Sequence, residues 1–318
     1  MHRFLLTFTL ALALVGGAAS TADARVAVGV GEQDYPPFAD SSWKGVGLKK
    51  SRIVIPWNVA SRRGPDRGKM DAYYRTSRAN GVELLVAFNP PNNARCPRRP
   101  CSRPSARSYT RAFRAFRKRY PRLKVIAPWN EANHVSQPTF STNRGAKAAA
   151  AYYNIVRRYC RGCKILAADV IDETNMVRWL RTFRRYAKRP RAWGLHNYRD
   201  TNYFSGRKTG GTRRLLRTVR RGDVWLTETG GIVTFITPSG ATLFSTSESR
   251  ADRATKRMFS LAKKYRRRIK RLYIYHWRQP LNPNRFDAGL LRKDGTPRPA
   301  FKTVESMLNG PQGKYFGR

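Results

Sequence analysis

Short apolar runs alternate with longer amphipathic stretches along this chain, and that alternation fixes the class of fold. Residues 26–30, 52–56, 82–88, 124–127, 164–168, 192–195, 224–227 and 272–275 read as strands. Between them, 66–79, 105–120, 145–159, 175–187, 212–220, 248–268 and 299–308 read as helices, the last with Pro299 at its start. Only the first unit lacks a helical pattern between Val30 and Arg52. Near-continuous apolar strands joined by helices imply a parallel sheet covered on its faces. Eight of them in a chain of this length fit a closed (β/α)8 TIM barrel better than an open doubly wound sheet. A dinucleotide-binding sheet would need a glycine-rich phosphate loop after its first strand, and none is there.

Residues 1–24 are expected to be a signal peptide rather than fold. Arg3 supplies positive charge, an apolar run follows that is too short to span a bilayer, and Ala22-Asp23-Ala24 is a small-residue cleavage site. No later stretch is apolar for long enough to cross a membrane. Residues 25–318 then form one exported domain, with no linker or repeat to divide it, expected to act as a secreted, extracellular monomer. Export favours disulfides over free thiols, and the four cysteines fall into local pairs, Cys96 with Cys101 and Cys160 with Cys163. The gap between the pairs exceeds zinc-ribbon spacing, and a barrel puts one pair at its top and the other at its bottom. No other cluster has credible ligand spacing, so neither a metal nor another cofactor is expected.

The formal net charge is +45 at pH 7, from 64 basic and 19 acidic residues. A polyanion partner is one reading of such a charge. The basic residues, however, occupy the solvent faces of the expected helices. Met258, Leu261, Ala262, Tyr265 and Ile269 form one apolar stripe and Tyr109, Phe113, Phe116 and Tyr120 another, with Lys and Arg at the positions between. General surface bias is therefore favoured over a dedicated polyanion site, and no specific nucleic-acid partner is expected.

Catalytic residues of such a barrel lie where the strands end, because all eight C-termini share one mouth. The fourth strand ends in Pro128-Trp129-Asn130-Glu131 and the seventh in Trp225-Leu226-Thr227-Glu228. Both place a glutamate at the mouth, on opposite sides of it. Two facing carboxylates are what glycosidic bond cleavage needs, one giving a proton to the leaving oxygen and one meeting the charge at the anomeric carbon.

The Trp129-Asn130-Glu131-Ala132-Asn133 stretch, the second glutamate on the seventh strand and the aromatic eighth strand resemble clan A glycoside hydrolases, families 5 and 39 in particular. The resemblance covers essentially the whole chain after residue 24, with Asn130-Glu131 its most specific element. It implies a retaining enzyme with Glu131 as acid/base, Glu228 as nucleophile and Asn130 hydrogen-bonding the sugar 2-hydroxyl. By the same resemblance Arg52 looks like the second-strand arginine that supports the nucleophile, and His196 and Tyr198 like residues beside it. Trp277 resembles the eighth-strand sugar platform. Two departures alter the loop beside the acid/base: Ala132 stands where many relatives carry Pro, and His134 follows Asn133.

Trp43, Trp57, Trp129, Trp277 and Tyr203 are candidates to line a sugar cleft. The expected substrate is a β-linked polysaccharide or oligosaccharide, with an acidic one left open by the basic surface. The competing reading is a non-catalytic, cationic barrel of the cell envelope that binds glycan or polyanion.

Overall fold

The computed structural model describes residues 25–91, 96, 101–205, 210–281 and 285–318. The expected signal peptide, residues 1–24, lies outside the described residues. The strands are β1 Val26–Gly31, β2 Lys50–Pro56, β3 Glu83–Asn89, β4 Val125–Ala127, β5 Lys164–Ile165, β6 Asp169–Ile171, β7 Ala192–His196 and β8 Asp223–Thr229. They continue with β9 Thr234–Ile236, β10 Thr242–Phe244, β11 Ile269–Tyr275, β12 Phe286–Asp287 and β13 Phe316–Gly317. In the main sheet the order is β5-β4-β3-β2-β1-β11-β8-β7-β6, all parallel.

The two ends of that order are halves of one strand position. Between them the Leu166 amide donates to Ile126 O on one side, while Ala167 N donates to Ala192 O and Gly194 N to Ala168 O on the other. The sheet therefore closes, and the fold is the (β/α)8 barrel. β13 adds beside β1 at its N-terminal end.

The helices are α1 Ser41–Val46, α2 Pro65–Ala79, α3 Ala106–Arg119, α4 Arg144–Tyr159, α5 Met176–Tyr186, α6 Tyr198–Asn202, α7 Gly211–Val219, α8 Glu248–Lys264 and α9 Pro299–Asn309. Local chemistry sets their starts. Ser105 and Ser247 accept hydrogen bonds from Ser108 N and Arg250 N, while Pro65 and Pro299 occupy first turns. The gap in the first unit is filled by α1, too short for a periodic signal, which buries Trp43 and Val46 and ends at Gly47 in the left-handed conformation. The helix expected over 248–268 stops at Lys264. Arg268 N and Ile269 N both bond back to Tyr265 O, and Ile269 opens β11. Its place in the apolar stripe was a coincidence of spacing across a tight turn. Among the described residues no helix is long and apolar enough to cross a membrane.

Alternation along the strands makes two cores. Leu85, Ala87, Val125, Leu166, Trp225 and Tyr273 fill the barrel, while Ile53, Val86, Leu226 and Ile274 face the helices. Below the barrel core, the Arg271 guanidinium lies 4.0 Å over the Trp225 ring and pairs with Glu83. β1 contributes little volume inside. A Cβ at Gly29 would come within 2.9 Å of the Tyr273 ring, so glycine there makes room for the β11 tyrosine. The disulfides form as the cysteine spacing suggests, Cys96–Cys101 and Cys160–Cys163. The first lies by the mouth, where Cys96 N donates to Ser136 O, and the second joins the end of α4 to β5 at the opposite end.

A small antiparallel sheet, β10-β9-β12, was not legible in the sequence. It grows out of the loops after β8 and β11 and walls one side of the mouth.

Candidate active site

A local irregularity in β8 presents Glu228 to the barrel axis. Leu195 pairs with Leu226 and His196 with Glu228, one step on β7 against two on β8; Leu272 and Ile274 of β11 likewise pair with Leu226 and Thr229. Thr227 is the extra residue of a β-bulge. As a result Thr227 and Glu228, although consecutive, both reach the interior. Thr227 Oγ1 donates to Asp169, and Glu228 Oε1 accepts from Arg52 Nη1 at 2.5 Å.

Glu131 arrives differently. It follows β4 in a left-handed backbone conformation, φ 45°, costly for a residue with a side chain. Hydrogen bonds on either side hold it there: Asn130 N donates to Phe88 O at 2.7 Å, Ala132 N to Asp169 O at 2.9 Å.

Arg52 is wholly buried and ties the site together. Besides Glu228 it reaches Asn130 Oδ1 at 2.6 Å and Asp169 Oδ2 at 3.1 Å through Nη2. His196, also buried, faces Asp169 Oδ1 at 3.3 Å through Nε2; its Nδ1 lies 3.2 Å from Glu131 Oε1 and 3.5 Å from Glu228 Oε2. Tyr198 donates its hydroxyl to Glu228 Oε2 at 3.4 Å. Gly194 makes this arrangement sterically feasible, since a Cβ there would sit 2.9 Å from Asp169 Cγ. Oxygens of Glu131 and Glu228 and a nitrogen of His196 all lie within 4.8 Å of one another.

The protonation pattern follows from these contacts. Burial alone would lower the His196 imidazole, but the charges of Glu228 and Asp169 and its hydrogen bonds to Asp169 and Glu131 push it up to about 10. Burial works to raise Asp169, and the His196 and Arg52 charges overcome it, holding that carboxyl down at about 2. Burial likewise opposes, and the His196 hydrogen bond and charge prevail, in keeping Glu131 below the ordinary carboxylate value. At neutral pH the cluster thus holds an imidazolium and a guanidinium beside the Asp169 and Glu131 carboxylates. Glu131, His196 and Glu228 have the spacing of a metal triad, but a protonated imidazole has no lone pair to offer, and Arg52 adds a second cation.

The mouth divides into two lobes that meet at the carboxylates. One, of about 390 Å³, is lined by polar groups including Gln33, Asp66, Lys69, Asn89 and Asn130. The other, of about 770 Å³, is mostly apolar, lined by Ile232, Phe235, Ile236, Leu243, Phe244 and Phe286. Glu131, Glu228 and Tyr275 border both.

Arg52, Asn130, Glu131, His196, Tyr198 and Glu228, all singled out from sequence, come together. Most of the expected cleft aromatics do not. Trp277 is fully buried, edge-on to Trp43 and Phe301, with Nε1 donating to Asp40 Oδ2; β11 ends at Tyr275, and the chain has turned under the mouth by residue 277. Trp129 is buried against Tyr109 and Tyr152, with its Nε1 bonded to Gln137, and Trp43 is buried too. Trp57 is half-buried on Tyr109 and lines neither lobe. Tyr203 alone of the five borders the cleft, and Tyr198, Tyr275, Phe235 and Phe286 supply its other aromatic surface. Asp169 and Thr227 were missed. Asp169 directly follows the apolar run 164–168, so the strand-end rule that found Glu131 and Glu228 would have found it.

No family model and no curated protein matches this chain. Solved structures do. A GH10 endoxylanase retrieved from a sugarcane soil metagenome superposes with TM-score 0.63 at 11% identity, over 89% of this chain and 96% of that one. Xylanase B from Clostridium stercorarium F9 gives 0.62 at 12%, over 88% and 96%. Saccharomyces cerevisiae Gas2p, in complex with laminaritetraose and laminaripentaose, gives 0.56 at 12%, over 92% of this chain and 65% of that one. At such identities the likeness is one of fold, and the shared fold is the (β/α)8 barrel.

Proposed function

We propose that this protein is a retaining glycoside hydrolase of clan A that cleaves β-O-glycosidic bonds by double displacement. The observation that carries the reading is the carboxylate spacing: oxygens of Glu131 and Glu228 lie within 4.8 Å across the mouth. Direct attack needs carboxyl groups about 5–5.5 Å apart, whereas inversion leaves about 6.5–9.5 Å for a water. The solved structures named as xylanases support the same reading by analogy of fold. They carry a different family number from the two that the motif resembles, so the assignment is made at the level of the clan.

Glu228 attacks the anomeric carbon as the bond to the leaving oxygen breaks, and Glu131 gives that oxygen a proton. Water then attacks the glycosyl ester, gives its proton to Glu131, and frees Glu228. Arg52 and Tyr198 hold the Glu228 carboxylate in place. In the open cleft the proton of the Glu131–His196 pair resides on the imidazole. Substrate shields Glu131 from water and raises the cost of its charge, and the 3.2 Å contact then lets the proton pass to the carboxylate.

The export signal over 1–24 and a single catalytic domain over 25–318 belong to the same proposal. Reducing-end release from neutral and acidic β-linked glycans tests it. Release by the native protein, lost in Glu228→Ala, is expected; equal release by both would remove Glu228 from the role. A basic cavity at the opposite end of the barrel, lined by Arg157, Lys164, Arg189, Arg191 and Lys270, favours the competing reading of polyanion binding. That reading requires salt-sensitive retention on an acidic polymer, indifferent to Glu228, without glycan cleavage.

A further inference from the structure

The two lobes of the mouth ask for chemically different halves of one substrate. Asn89 and Gln33 line the polar lobe, and Asn89 Oδ1, an acceptor, and Gln33 Nε2, a donor, are buried with no partner within the protein. Buried polar atoms are rarely left so, and they add to the polar character of this lobe. Asn130 lines this lobe and not the other, its Oδ1 held by Arg52. The sugar being cleaved therefore belongs on this side, and the leaving group on the other.

The other side is unsuited to a second sugar. Phe235 and Phe286 pack edge to face at 5.4 Å, and Phe286 meets Tyr198, the Glu228 partner, at 5.8 Å. The apolar wall thus runs unbroken from the insertion sheet to the reacting atoms. Of the polar groups at its border, His134 meets Ser136 and Glu173, and Asp172 accepts from the amides of Arg199 and Asp200. At its rim Leu243 is 47% and Val135 61% exposed, large apolar side chains facing water on a chain of net charge +45. Such surface is uncommon without something to cover it.

We propose that the leaving-group lobe receives an apolar aglycone, so that the preferred substrates are β-glycosides of hydrophobic alcohols rather than internal bonds of a polysaccharide. The inference rests on the hydrolase reading above. The bond broken is that between the anomeric carbon and the alcohol oxygen, the alcohol leaves with the Glu131 proton, and water supplies the hydroxyl of the released sugar.

The test is kcat/KM along a series of n-alkyl β-glycosides from methyl to octyl, on glucose, xylose, mannose and galactose, below the micelle concentration. Burial in the lobe predicts a rise of about fourfold per methylene until the lobe is full. Phe235→Ser and Leu243→Ser should each lower the octyl-to-methyl ratio, about tenfold together. A flat series, or faster turnover of oligosaccharides than of the octyl glycoside, overturns the proposal while Glu228-dependent cleavage leaves the hydrolase reading intact. Cleavage of neither the alkyl series nor the glycan panel overturns both.

Discussion

Replacing Asp169 by Asn should draw the His196 imidazole down from about 10, with Glu228 and Glu131 still beside it. Asp169 Oδ1 lies 3.3 Å from His196 Nε2, both groups out of solvent. Removing one charge at that distance, at an effective dielectric of about 20, withdraws roughly 5 kcal/mol of attraction for the proton. At 1.36 kcal/mol per unit this is at most about 3–4 units, and the Glu228 charge, the largest cause of the rise from 6.5 to about 10, stays in place. The sign also has a stability consequence. A group whose folded pKa is raised stabilises the fold fully below its unfolded value and loses that contribution as pH rises through the folded value. His196 thus contributes fully below pH 6.5, and its contribution is lost towards about pH 10. With Arg52 also losing a buried partner, Asp169→Asn should cost about 3–5 kcal/mol near neutrality. The assay is an NMR titration of the imidazole resonances, tractable because the whole sequence has 4 histidines, with His196→Gln assigning the signal. The native ring should stay protonated beyond about pH 9 and the variant ring lose its proton at a clearly lower pH. A native His196 titrating near its ordinary value, or a variant indistinguishable from native, would refute the electrostatic reasoning.

Three further expectations concern residues elsewhere. Trp277→Ala should destabilise the protein by about 3–5 kcal/mol in denaturant melts and leave KM nearly unchanged, because the ring is fully buried; a large KM increase with little loss of stability would restore its role as a sugar platform. Asp172 is pushed up to about 7, first by burial and then by the Asp200 charge, so its stabilising contribution is present below pH 3.8 and lost as pH rises through 7. Asp172→Asn should therefore improve stability at pH 8 relative to pH 4 by about 4 kcal/mol, and an equal effect at both pH values would contradict this. Replacing Cys160 and Cys163 by Ser opens only a short loop and should cost about 2 kcal/mol, with glycosidase kinetics unaltered because the bridge lies at the end of the barrel away from the mouth.

Much of the architecture was legible because barrel strands are buried on both faces and barrel helices on one. Residues 82–88 and 224–227 could hardly be anything but interior strand, and the Tyr109-Phe113-Phe116 stripe became the buried face of α3. Arg52 was recognisable because a guanidinium within an apolar strand must find anions inside. What failed depended on the path of the chain after a strand ends. Trp277 and Trp129 lie two residues beyond their strands, as many barrel-mouth residues do, yet the backbone turns each into the packing below. The insertion sheet escaped notice because strands of two or three residues are too short to show a period. The bulge at Thr227 was invisible for a related reason: an extra residue is defined by its neighbours' register, which one strand's sequence does not carry.

That bulge also sets a phase. Up to Leu226, β8 obeys strict alternation, with Trp225 inside and Leu226 outside. One residue fewer after Leu226 would leave Asp169 without its threonine or put the glutamate out of phase with Arg52. The strand therefore has no freedom in length at Glu228, whereas β9, β10 and β12 form a separate sheet outside the barrel order. The position of Glu228 is thus counted from the middle of the strand, while the apolar wall of the mouth is built on segments outside the barrel.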